Sequence, residues 1–209
     1  MLEGVSKSAK KKELMMSLNH SPRIAPLSPP YEPDIATALA KWMPPGSALE
    51  PLALFRTLYQ HPQLSNRMRP LGAGILGSQS SLDPREREIV IDRTCACCGC
   101  EYEWGVHVAS FGTAVGLDRT QLKDTASKTV DKALWAEREL VLVRVVDELH
   151  ETATISDEVW EQLVAIWNTA QILEVIIIVG WYHLISFVAN AAHIDHEPWA
   201  AHFPQKERE

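Results

Sequence analysis

Basic residues are in the minority in this sequence: 20 lysines and arginines stand against 27 aspartates and glutamates, a formal net charge of -7. Nucleic-acid binding needs Lys and Arg gathered on one face. The one basic run, Lys7, Lys10, Lys11 and Lys12, lies in an otherwise polar N-terminal stretch that reads as a solvated arm. Sustained period-2 alternation between turn residues is missing from every window, so no sheet is expected. A Walker-type phosphate loop is missing as well. The stretch "GAGILG", Gly72 to Gly77, fits the dinucleotide pattern, but a helix precedes it and no βαβ unit surrounds it. Its glycines are read as points of close helix approach. An export signal is also lacking: "LMMSL" is too short for an apolar signal core, and "NHSPR" ends it. Met15 and Met16 offer alternative starts. The expected compartment is therefore a reducing cytoplasm, where clustered thiols are more often catalytic or metal-binding than structural disulfides.

What is present points to one helical domain. Seven of the 13 prolines fall before residue 46, so residues 1–33 read as an extended proline-rich arm, disordered at its start. Residues 34–205 read as helical almost throughout, and 206–209 as a tail. "DIATALAKWM" is a short amphipathic helix, and Ser47 is a candidate cap for "ALEPLALFRTLYQH", with Pro51 in its first turn. Pro70 predicts a kink in "PQLSNRMRPLGAGILG". The strongest start signal is Asp83 as N-cap, Pro84 at the first helical position and Glu86 completing a capping box. That helix should stop near Gly99. A second should run from about Cys100 to a Gly116 C-cap. Asp118 caps a short helix, two amphipathic helices follow, and "ILEVIIIVGWYHLISFV", Ile172 to Val188, is apolar on all sides. Interrupted by Glu174 and His183, it suits the centre of a helical domain or a subunit interface better than a bilayer. The expected fold class is all-α.

All 4 cysteines fall within six positions, in "RTCACCGCEYEWGVHV". Cys95, Cys97, Cys98 and Cys100 are too close in sequence to surround one ion tetrahedrally, even with His107 as a further ligand, so no metal is expected. Cys97 and Cys100 straddle Gly99. If Cys100 lies in the first turn of the second helix, exposed amides there would favour its thiolate, which makes it the expected reactive thiol. Cys95, Cys97 and Cys98 can equally be small apolar residues. Cys100, Glu103 and His107 are spaced i, i+3, i+7 and share one helical stripe. A helical hairpin would bring Glu88 across to them. Spacing alone does not separate such a site from an exposed i,i+4 pair.

"REREIVIDRTCACCGCEYEWGVHV" resembles the core of the carboxymuconolactone decarboxylase and alkylhydroperoxidase-D superfamily, whose pattern is Glu, eleven residues, Cys, two residues, Cys, three residues, His. The matching positions are Glu88, Cys100, Glu103 and His107, with Glu103 in place of the second cysteine. "YHLISFVANA" and "EPWAAHFP" also resemble longer members. The resemblance implies an oligomeric helical bundle, from dimer to hexamer, built around a helix-turn-helix hairpin. It implies an enzyme that needs no cofactor and acts on a small molecule. For the peroxidase branch it implies a cysteine pair three residues apart, for which Cys100 has only Cys97 as resolving thiol. For the decarboxylase branch it implies acid–base chemistry by His107 with Glu88 and Glu103, Cys100 lining the pocket. Tyr102, Trp104 and His183 are further pocket candidates. A third reading is an oligomeric binding protein that kept the fold and lost the chemistry.

Overall fold

The computed structural model describes residues 21–205; the lysine run, Met15, Met16 and the 206–209 tail lie outside them. Among the described residues there are nine α-helices and no strand: α1 (Pro33–Ala40), α2 (Ala53–Leu58), α3 (Pro62–Ile75), α4 (Pro84–Cys97), α5 (Glu101–His107), α6 (Arg119–Thr125), α7 (Glu137–Thr152), α8 (Asp157–Ile166) and α9 (Thr169–Ala192). A π-helical turn, Val108–Gly112, follows α5 directly, and a short 3₁₀ turn, Lys132–Leu134, precedes α7. Residues 21–32 run without helix along the domain. Arg23 N–H donates to Ala192 O at 2.7 Å and Gln60 Nε2 to Ala25 O at 2.8 Å.

The centre of the molecule is α4, packed against α5, α7 and α9. Every residue from Glu86 to Cys95 is buried. This is unusual for a helix that holds Glu86, Arg87, Glu88, Asp92 and Arg93, because each buried charge needs a partner to offset its lost hydration. Glu86 pairs with Arg138 and accepts from Trp167 Nε1 at 3.0 Å. Arg93 holds Asp147 at 2.6 Å and the carbonyls of Thr125 and Ser127 at 3.0 and 2.6 Å. Around it, Val141, Leu142, Val145 and Val146 of α7 and Val175, Ile178 and Ile185 of α9 form the apolar core with Val90 and Ile91. The long apolar helix is thus the second central element. Its length and composition would also let it cross a bilayer.

Several local expectations change. Asp83 caps α4 by accepting from Arg85 N–H at 2.8 Å. The capping box does not form, because the Glu86 carboxylate is taken by Arg138 and Trp167. Ser47 caps no helix; its hydroxyl accepts from Leu49 N–H at 3.2 Å. Pro51 disfavours helical geometry at Glu50, and α2 starts only at Ala53, with Arg56 Nε on Pro51 O at 2.9 Å. α3 runs on through Pro70. Gly72 provides the close approach expected of its motif: a Cβ there would lie 2.8 Å from the Trp181 ring.

Beyond α9, left-handed His193 (φ 53°) ends the helix and the chain returns as a strap across α5. Ala201 N–H donates to Gly105 O at 3.0 Å, and Glu197 Oε1 accepts from Ala53 N–H and Tyr102 OH at 2.7 and 2.8 Å. Phe203 packs on Trp104, ring centroids 5.1 Å apart.

Candidate active site

Gly99, with φ +60°, makes the reversal between α4 and α5 that most other residues would resist. The hairpin sets His107 on α5 against Glu88 on α4. Nδ1 of His107 lies 2.8 Å from Glu88 Oε2, both side chains essentially inaccessible to solvent. On the other side of the ring, Nε2 lies 3.1 Å from the Tyr182 hydroxyl of α9 and 3.6 Å from Glu103 Oε1. Tyr182 meets the imidazole edge-on and Phe111, from the π-helical turn, stacks at a tilt, centroids 5.1 and 5.2 Å away. Arg87 Nε approaches Glu88 Oε1 at 3.6 Å.

Electrostatics follow from this enclosure. Burial alone would push the His107 imidazole down; the Glu88 charge, the Glu103 hydrogen bond and the Glu88 hydrogen bond outweigh it and raise the group to about 10. Asp92, one turn after Glu88 and fully buried, is pushed well above the carboxylate range by burial and by the neighbouring Glu88 charge. Both its oxygens, and Oε2 of Glu103, lack a hydrogen-bond partner among the described residues. Burial likewise pushes the Tyr182 phenol well above its ordinary value. At neutral pH the cluster therefore holds an imidazolium between Glu88 and Glu103, with a neutral phenol beside it and with Asp92 shifted toward its acid form.

The sign of the linkage is testable. A histidine raised from its ordinary 6.5 to about 10 adds stability that is fully present below pH 6.5 and is lost as pH rises through about 10. Thermal unfolding of the wild type should therefore decline over that window, and the decline should be markedly shallower in His107→Gln.

The thiols sit differently from expectation. Cys100 is the residue before α5 rather than part of its first turn, and it is 0 % exposed. Burial pushes its thiol up to about 11, the opposite of an activated thiolate. Cys97 turns away toward α7, where its thiol donates to Asp147 Oδ1 at 3.5 Å, and burial raises it to about 12. All 4 cysteines are free thiols. The pocket candidates are also engaged elsewhere. Tyr102 binds Glu197 and Leu54, Trp104 Nε1 donates to Thr125 Oγ1 at 2.9 Å, and His183 faces His150 and Val179 O. A groove of about 850 Å³ bounded by Lys128, Arg144 and Gln162 lies on the outer side of α7, away from His107.

Tyr182 and Asp92 are the members of the cluster that sequence reasoning missed. A hydroxyl on an otherwise apolar helix, and an acid at i+4 from Glu88, were the available signals.

The same segment carries the match to known proteins. Residues 62–148 match the carboxymuconolactone decarboxylase family, a stretch that runs from α3 through α7 and includes Glu88, Cys100, Glu103 and His107. The fold agrees with two solved structures. A peroxidase-related protein from a Silicibacter species superposes with TM-score 0.69 at 15% identity, covering 84% of this chain and 93% of that one. A protein of unknown function from Agrobacterium tumefaciens, with a proposed assignment as the antioxidant defence protein AhpD, superposes with TM-score 0.60 at 18% identity. It covers 66% of this chain and 94% of that one. No curated protein matches the chain significantly.

Proposed function

We propose that this protein is a cofactor-independent enzyme of the carboxymuconolactone decarboxylase family that transfers a proton to or from a small carboxylic acid or lactone. The observation that carries the reading is the buried relay Glu88–His107–Tyr182, flanked by a carboxylate, Glu103, where the dithiol pattern has its second cysteine.

Loss of CO₂ from a conjugated lactone acid leaves the electron pair of the broken C–C bond on carbon, delocalised as an enolate. Two things are then needed: donors for the enolate oxygen and a proton for the carbon. With His107 protonated, Nδ1–H donates to Glu88 and Nε2–H to the Tyr182 oxygen, which leaves the Tyr182 O–H free to donate onward. The phenol proton passes to carbon and the Nε2 proton replaces it, so the imidazole ends neutral and Glu88 stays paired. Asp92, whose acid form is favoured by burial and the Glu88 charge and whose oxygens have no partner among the described residues, offers a second donor of the kind an enolate oxygen needs. His107 is 3% exposed, so substrate reaches it only when its cover moves; Phe111 on the π-helical turn is the part of that cover stacked on the ring. Such turns interrupt helices at functional sites with some regularity.

A second reading, a thiol peroxidase, is favoured by the descriptions of both solved relatives. In that chemistry Cys100 thiolate attacks the peroxide, the O–O bond breaks with release of an alcohol, and the Cys97 thiol displaces water from the resulting sulfenic acid to form a disulfide. The raised thiols and the outward turn of Cys97 weigh against it.

Screening lactone acids and keto acids for CO₂ release tests the first reading. Cys100→Ser should keep activity within about threefold of wild type, since the relay contains no sulfur. Loss of all turnover in Cys100→Ser, together with loss of two thiols on peroxide treatment, would move the assignment to the peroxidase. The self-association that the family resemblance implies has a matching feature: Leu173, Ile177, Leu184 and Phe187 form an exposed apolar stripe along α9.

A further inference from the structure

Beside α9, next to Tyr182 in sequence but outside the His107 cluster, side chains from the ends of α4 and α7 and from α9 itself converge. Cys98 closes the C-terminus of α4, His150 lies in the last turn of α7, and His183 lies mid-way along α9. A ligand atom from each lies within 4.8 Å of those of the other two. His150 Nδ1 is 2.9 Å from His183 Nε2, and the two rings lie at a tilt with centroids 5.2 Å apart. None of the three belongs to the His107 cluster.

We propose that Cys98, His150 and His183 form a binding site for Zn²⁺ or a similar borderline-soft divalent ion, with the fourth position open to water. One thiolate and two imidazoles are the donor set such ions prefer, and tetrahedral zinc holds its ligands at about 2.0–2.3 Å, so neighbouring ligand atoms must come within about 4 Å of one another. The site is also prepared in its surroundings. His183 Nδ1 lies 2.8 Å from Val179 O, so that nitrogen donates to the carbonyl and Nε2 presents a lone pair toward Cys98 and His150. A backbone carbonyl holding the second nitrogen is the usual support of a metal-bound histidine. Asn190 Nδ2 donates to Cys98 O at 3.0 Å, which ties the end of α4 to α9 and fixes the cysteine. His150 is exposed, which leaves the outer side for water. On binding, the Cys98 S–H bond breaks, sulfur bonds to the ion and one proton leaves to solvent. In the apo state, the hydrogen bond between the two histidines is what the ion replaces.

A second grouping, Glu101, His196 and His202, has the same spacing but a poorer donor set. Both ring nitrogens of His196 face backbone carbonyls, Glu197 O at 3.0 Å and Ala201 O at 3.1 Å, so neither is free for an ion.

The test is titration of the full-length, reduced, metal-free protein with Co²⁺ and then Zn²⁺. The expected result is one ion per chain, with a sulfur-to-cobalt charge-transfer absorption that Zn²⁺ displaces. Cys98→Ser should abolish that absorption, and His183→Gln should weaken Zn²⁺ binding by about 100-fold or more. In the unmodified chain Zn²⁺ should selectively protect Cys98 from alkylation, a readout that does not depend on how the variants fold. Absence of the charge-transfer absorption, failure of Zn²⁺ to protect Cys98, or binding that survives both substitutions would overturn the site.

Discussion

His107→Ala is expected to reduce turnover by roughly 10²–10⁴-fold, the usual contribution of a positioned proton-transfer group, and to leave the helical circular dichroism spectrum in place. The same change should lower stability. It removes the partner of a fully buried Glu88 carboxylate at 2.8 Å, and breaking such a pair costs about 3–5 kcal/mol because one charge stays behind in the interior. Part of that cost disappears if Glu88 takes up a proton or water enters the space left by the ring. The two effects separate by experiment. In His107→Ala,Glu88→Gln the orphaned charge is gone, so stability should recover by more than half while turnover stays lost. Initial rates of CO₂ release and urea unfolding midpoints on both proteins give the answer. If the single variant turned over normally, the relay would have no role.

The second large effect should come from Gly105→Ala. An added Cβ there would lie 2.0 Å from Ala201 O and 3.0 Å from His196 Nε2, far inside contact distance, and the nearer atom is backbone that cannot rotate aside. Either α5 or the strap must move. Overpacking of this kind costs about 1–3 kcal/mol, and loss of the Ala201 N–H to Gly105 O bond adds to it. The expected outcome is an undocked strap: a melting temperature lower by several degrees and faster limited proteolysis between residues 193 and 203. An unchanged proteolysis pattern would mean that α5 shifts instead, and activity should then fall because His107 ends the same helix.

How much of this could be read beforehand depends on whether the information is local. The limits of α4 were legible because Asp83, Pro84 and Gly99 act on the backbone at or next to their own positions. The nearness of Glu103 and His107 was legible because both lie on α5 at i,i+4, whereas Cys100 precedes the helix. The capping box at Glu86 failed for the opposite reason: its carboxylate is claimed by Arg138 and Trp167, which are remote in sequence. The depth of Cys100 could not be read from a helix start, since what buries it is the packing of α9 and α7 around the hairpin. Tyr182 was hidden in plain view within an apolar run, and only the crossing of α9 over α5 brings its hydroxyl to His107. The pairing of His150 with His183 has no sequence signature at all.

One consequence of α4 concerns how the chain finds a single arrangement. Greasy helices can slide past one another at small cost, because any apolar surface satisfies any other. Here Glu86 answers to Arg138 and Trp167, Glu88 to His107, and Arg93 to Asp147, partners spread over three separate stretches of chain. Slipping α4 by one turn would strand all of these groups at once in a medium that cannot solvate them. Charged residues at the centre thus act as a key whose teeth penalise every register but one.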